Sequence, residues 1–156
     1  MTHLTLVKAR KEDCNLLFDW ANEESVRENS FDSSKIIYED HYEWFIKKLK
    51  SPDTLIYIVK NGNQSIGVIR LEKRDNDSLL INYSVDVKYR RQGYGTKFLI
   101  LMKENFSNKT LIGKVKKNNM SSIRAFEKAG YIKTDKPAYI EFSSKKVLRW
   151  RNEVNR

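Results

Sequence analysis

The sequence predicts a mixed α/β domain, a single mixed sheet with helices on both faces. Three observations lead there. The apolar pattern switches between strand and helix periods in the order β-α-α-β-β-β-α-β-α-β-β. An Asn61-Gly62 step between two apolar runs is a strong hairpin signal. A glycine-rich turn joins a strand-like segment, residues 79–87, to a helix-like one, residues 96–103. With 156 residues, 40% of them hydrophobic, the chain reads as one domain over residues 1–156 whose core requires no metal or disulfide staple.

The elements follow in order. Residues 4–9 alternate weakly and read as the first strand. Lys11, Glu12 and Asp13 open a helix carrying Leu16, Leu17 and Trp20, and residues 24–27 add a turn of helix. Asn29-Ser30-Phe31-Asp32-Ser33-Ser34 is loop chemistry. Residues 38–49 form the clearest amphipathic helix, with Tyr38, His41 or Tyr42, Phe45 and Leu49 recurring at helical spacing, and Ser51-Pro52-Asp53 stops it. Residues 55–59 and 65–72 are the arms of the Asn61-Gly62 hairpin. Asp75-Asn76-Asp77 then turns into residues 79–87, where Ile81, Tyr83, Val85 and Val87 share one face and Leu80, Asn82, Ser84 and Asp86 the other. After the glycine turn come a helix, a strand over residues 111–115, and a helix over residues 122–129 that Gly130 ends as a C-cap. Tyr131-Ile132 and residues 139–150 supply the last strands.

Composition narrows the function. The formal charge is +10, from 30 Lys+Arg against 20 Asp+Glu. It is spread along the chain, densest at Lys114-Val115-Lys116-Lys117 and over residues 145–151, without a nucleic-acid-binding motif. Solvated faces and a site for polyanionic small molecules account for it better than dedicated nucleic-acid binding. The single cysteine, Cys14, excludes an internal disulfide and sits in an apolar helical pattern as a buried thiol. No apolar run reaches the ~18–20 residues of a membrane span. Met1-Thr2-His3 leads straight into a strand rather than a signal peptide, so a cytoplasmic protein is expected, with no metal site and no membrane partner.

The most informative run is Val87-Lys88-Tyr89-Arg90-Arg91-Gln92-Gly93-Tyr94-Gly95-Thr96. Two glycines one residue apart, beside two arginines, stand where a helix begins. There the backbone N–H groups lack intrahelical partners and the helix dipole favours negative charge, which suits a pyrophosphate. About 25 residues on comes Asn119-x-x-Ser122-Ile123-x-x-Phe126-Glu127-x-x-Gly130-Tyr131.

Together the two motifs resemble the acetyl-CoA site of the GNAT superfamily of N-acetyltransferases, and the element order matches that fold over essentially the whole chain. The resemblance implies a mostly antiparallel sheet of about seven strands flanked by four helices, splayed at the cofactor strand pair. It implies acetyl-CoA as cosubstrate. Backbone amides of Arg91, Gln92, Gly93, Tyr94, Gly95 and Thr96 would cradle the pyrophosphate, with Arg90 or Arg91 on phosphates. Val85, Asp86 and Val87 would pair with the pantetheine arm. Asn119 and Ser122 would meet the cofactor, and Phe126 would line its thioester end. The N-terminal half, with Trp20-Ala21-Asn22, Asn29-Ser30-Phe31, His41-Tyr42-Glu43-Trp44-Phe45 and Ile66-Gly67-Val68-Ile69-Arg70, resembles acetyltransferases acting on the 4-amino group of UDP-linked deoxy sugars for pseudaminic-acid-type surface glycans. Ribosomal-protein N-terminal acetyltransferases share its Trp20 and Trp44-Phe45 features, so a peptide acceptor is the alternative. A non-catalytic acetyl-CoA-binding module is the other.

The implied reaction is direct attack of a neutral amine on the acetyl thioester. Many relatives carry a tyrosine at Phe126 as acid and a glutamate at Leu80 as base. Phenylalanine cannot donate, but a thiol of pKa near 8.5 leaves as thiolate at a cost of about 2 kcal/mol at pH 7. Ser122 or Tyr139 is the replacement hydroxyl. Candidate bases are His41, Glu72 and Asp86, or a water chain anchored by Asn82 or Ser84. The acceptor pocket is expected from Asn29, Ser30, Phe31, His41, Tyr42 and Tyr139, whose aromatic rings suit a uracil or sugar face. An exposed edge strand near the C-terminus leaves a homodimer open.

Overall fold

The computed structural model describes residues 3–146. Seven strands form one sheet in the order β1-β2-β3-β4-β5-β7-β6. They are β1 (Leu4–Lys8), β2 (Thr54–Asn61), β3 (Gln64–Lys73), β4 (Ser78–Val85), β5 (Thr110–Val115), β6 (Ile132–Asp135) and β7 (Ile140–Ser143). Every neighbouring pair is antiparallel except β4 and β5, which run parallel. Five α-helices cover the sheet: α1 (Cys14–Ala21), α2 (Glu24–Asn29), α3 (Tyr38–Lys50), α4 (Tyr94–Asn105) and α5 (Met120–Lys128). The expected mixed, mostly antiparallel sheet is therefore present.

Capping chemistry accounts for the differences from the sequence reading. Residues 24–27 belong to a separate helix, α2, because Glu23 is extended and its carboxylate accepts from the backbone of Ser25 and Val26. The strand expected to reach Val87 stops at Val85. Asp86 accepts from the Lys88 amide at 2.9 Å, and this closure folds Val87–Tyr89 into a 3-10 turn. Val87 is consequently exposed, not on the core face. The last strand ends at Ser143, and residues 147–150 of its expected range lie outside the described residues.

Two apolar clusters sandwich the sheet. On one face Phe98, Leu99 and Met102 of α4 and Ile123 and Phe126 of α5 pack against Ile69, Leu71, Ile81 and Leu111. On the other, Leu17 and Trp20 of α1 and Phe45 of α3 pack against Ile56 and Ile58, with Cys14 buried among them as expected.

The feature that positions the site is the β4–β5 junction. These strands pair at only three positions, Ser78↔Thr110, Leu79↔Leu111 and Leu80↔Ile112. Beyond them β4 stays with β3 as far as Val85 while β5 stays with β7, so the two part. Gly113 sits at the point of parting, and a Cβ there would lie 2.4 Å from the Phe126 ring. That ring is stacked on Phe142 at 4.8 Å and cannot retreat. Gly113→Ala should therefore destabilise the fold by about 1–3 kcal/mol, read as a lower urea midpoint with an unchanged m-value.

Candidate active site

The turn from β4 into α4 is held by side chains, not by its own backbone alone. Arg90 donates from Nε to the Val85 carbonyl at 3.0 Å, from Nη1 to Ser25 Oγ at 2.5 Å and from Nη2 to Glu23 Oε2 at 3.0 Å. Burial raises the Glu23 carboxyl, but hydrogen bonds from Ser25 and Arg90 outweigh this and hold it below the usual range. Past Arg90 the backbone takes positive φ twice, 63° at Arg91 and 79° at Gly93. A glycine makes the second at no steric cost. Gly93 is the N-cap of α4, and no side chain caps that helix, so its first-turn amides face outward without intrahelical partners.

Above this turn stands α5. Asn119 caps it, accepting from the Ser122 amide at 3.2 Å. Ser122 Oγ lies 3.1 Å from the Tyr83 hydroxyl of β4. Burial raises the Tyr83 phenol, and the Ser122 contact opposes the rise. A Cβ on Gly95 would come within 3.4 Å of that hydroxyl, so the absence of a side chain there leaves Tyr83 its place.

A single cleft of about 970 Å³ joins these parts. Arg91, Gly93, Gly95 and Thr96 line one end, Tyr83, Asn119, Ser122 and Phe126 the middle, and Ser30, Phe31, His41, Trp44, Arg70 and Asn82 the other. At the far end His41 is buried against Phe18, Trp44 and Phe45. Burial lowers its imidazole below the ordinary value of 6.5, against a hydrogen bond with the Cys14 backbone that raises it. Its Nε2 has no hydrogen-bond partner among the described residues.

A family model, the acetyltransferase (GNAT) domain, matches residues 3–132. The chain belongs to the GNAT acetyltransferase family. No curated protein matches it by sequence. Solved structures of the same fold include spermidine N-acetyltransferase from Vibrio cholerae in complex with CoA and spermine, at a TM-score of 0.79 and 12% identity over 90% of this chain and 93% of that one. RimL, a ribosomal-protein alpha-N-acetyltransferase in complex with coenzyme A, gives 0.77 and 13% identity over 92% and 94%. The aminoglycoside acetyltransferase AAC(6')-Ib in complex with paromomycin and acetyl-CoA gives 0.75 and 19% over 90% and 93%. All three hold coenzyme A or its acetyl ester.

The GNAT cleft gathers most of the residues singled out from the sequence, and two of the candidate bases lie outside its lining. Glu72 does not line it. Its carboxylate is tied to Lys48 Nζ at 2.5 Å and lies 3.8 Å from Arg70 Nε. Asp86 does not line it either, because one oxygen caps the Val87–Tyr89 turn and the other accepts from Trp20 Nε1 at 2.8 Å. Val87 and Gln92 also lie outside the lining, the first because its strand has ended. Tyr42 and Tyr139 are outside as well; Tyr139 meets Phe31 edge-on at 6.3 Å, with the Lys114 ammonium over its ring. Arg90 lines the cleft, yet its donors are spent on Val85, Ser25 and Glu23, which leaves Arg91 as the freer of the two arginines. Phe126 is core as much as lining, 2% exposed and stacked on Phe142.

Sequence reasoning missed Tyr83, which it placed only on one strand face with Ile81, Val85 and Val87. It also missed Arg70, Arg124 and Lys128, all in the lining. A charged residue inside the apolar run Ile66-Gly67-Val68-Ile69-Arg70-Leu71 was the available signal for Arg70. Since the Glu23 carboxyl is depressed, its contribution to stability is present above the ordinary carboxyl value of 4.5 and lost as pH falls through its folded value. Glu23→Gln should cost about 1 kcal/mol at pH 7, and the gap from wild type should narrow as pH falls below the ordinary carboxyl value of 4.5 in urea titrations across pH.

Proposed function

We propose that this acetyltransferase acetylates the 4-amino group of a UDP-linked amino-deoxy sugar. The observation that carries acetyl transfer is the single cleft, which runs from an uncapped helix N-terminus through the β4–β5 gap to a pocket under α3. Coenzyme A fits the first part. The free amides of residues 93–96 match a pyrophosphate, and Arg91, Arg124 and Lys128 supply cations for phosphates along the lining. The unpaired edge of β4 past Leu80 offers backbone groups for the amides of a pantetheine arm. The donor supplies an acetyl thioester; everything else falls to the chain.

Three tasks remain for it. The Ser122 hydroxyl, backed by Tyr83, is the proton source for the departing thiolate in place of the phenol that Phe126 lacks. A water held by Asn82 and Ser84, on the α3 side of β4, takes the proton of the acceptor ammonium and passes it toward His41. Burial keeps that imidazole neutral at pH 7, which suits a proton acceptor. The rings of Phe31 and Trp44 give flat apolar faces for a uracil or a sugar, and the +10 formal charge suits two polyanionic substrates.

The reading is tested by thiol release from acetyl-CoA with UDP-4-amino sugars, peptides with free N-termini, and polyamines. Turnover confined to the UDP-linked amines is expected; turnover confined to peptides overturns the sugar reading. The pH profile tests the proton path separately. Wild-type kcat/KM should fall on the acid side with an apparent pKa below 6.5, and His41→Asn should flatten that limb and lower the plateau by about tenfold or more.

A further inference from the structure

We infer that Arg70 binds the anionic part of the acceptor and restricts the enzyme to amines carried on a negatively charged molecule, a nucleoside diphosphate in the reading above, on which this inference rests. Arg70 lies on β3 opposite Asn82 of β4 and lines the acceptor half of the cleft. Its guanidinium carbon sits 5.1 Å from the Trp44 ring centroid. An arginine lodged on an aromatic face keeps its donor fork in one plane, the arrangement suited to a phosphate.

The fork is not otherwise engaged. Arg70 Nε has no hydrogen-bond partner among the described residues. Its one acidic neighbour among the described residues, Glu72, stands 3.8 Å away, beyond hydrogen-bond range, and is held by Lys48 at 2.5 Å. Lys48, Arg70 and Glu72 therefore leave one positive charge over. A half-buried cation with free donors is costly unless something pairs with it, and a phosphate oxygen from the cleft side does so.

The other charges at this end do not cancel it. Arg27 is spent on the carbonyls of Ala21, Asp32 and Ser34. Asp32 is turned back on its own loop, accepting from the Ser34 amide at 3.0 Å. Asp40 is exposed at the rim. A polycationic amine such as spermine meets a like charge on the floor of this pocket, where an anionic acceptor meets its partner.

The first arm of the test is calorimetric titration of UDP into protein saturated with coenzyme A, so that the donor site cannot take the phosphates. Wild type should bind. Arg70→Gln should weaken binding by about 10- to 100-fold, and Arg70→Lys, which keeps the charge but not the fork, should fall between. The second arm compares turnover of a UDP-linked 4-amino sugar with the uncharged methyl glycoside of the same sugar. Arg70→Gln should raise KM for the first by about tenfold or more and for the methyl glycoside by much less, with kcat changed less than KM. Failure of wild type to bind UDP, equal binding by both proteins, or equal losses on both acceptors would overturn the inference. Should no sugar be turned over, the acetyl-acceptor reading falls while the UDP titration still decides the role of Arg70. Thermal melts accompany both variants; if Arg70→Gln does not fold, the Arg70→Lys titration decides, with undiminished UDP affinity counting against the fork.

Discussion

The parting of β4 from β5 after Leu80↔Ile112 is the constraint on which everything else rests. A sheet that stayed paired would have no cleft, because every backbone group of residues 81–85 on that side would be spent on a neighbour. The strands separate because each follows another partner, β4 the hairpin arm β3 and β5 the strand β7. Phe126 fills the space over Gly113 and keeps the gap wedged at its apex. The result is an interior edge. Exposed edges of this kind are a hazard in most sheets, and here the edge opens into the cleft instead of onto the outer surface.

The gap also divides the labour between the two faces of β4. Tyr83 and Val85 point toward α4 and α5, where the turn amides and Ser122 wait. Asn82 and Ser84 point toward α3, opposite Arg70 and Val68 of β3. One strand with a period of two thus presents one chemistry to each substrate. The α4–α5 side of the cleft is built largely from the backbone of residues 93–96 and from Ser122. The other side is built from side chains on α1–α3 and the intervening loop.

This division also governs what the sequence discloses. Gly93, Gly95 and Asn119 carry local signals, since a positive φ, a close approach and a helix cap each demand a residue type at a fixed offset. The alternation along residues 80–85 was legible for the same reason. Asp86 was not, because the residue that claims its carboxylate, Trp20, lies 66 positions away. Glu72 was not, because Lys48 of α3 neutralises it across the sheet. Both look like free carboxylates in one dimension. Tyr83 shows the converse: the alternation gave it a strand face and nothing more, and only the approach of α5 reveals that its hydroxyl reaches Ser122.

Arg90 belongs to both halves of the molecule. It fastens the end of β4 and the cofactor turn to Glu23 and Ser25, the residues that begin α2 beside the acceptor loop. The two binding equilibria consequently share a structural member. A ligand that settles the turn acts on α2 through the same guanidinium, and a ligand that settles α2 acts on the turn. Thermodynamic reciprocity then requires that whatever factor one substrate contributes to the affinity of the other is returned in equal measure.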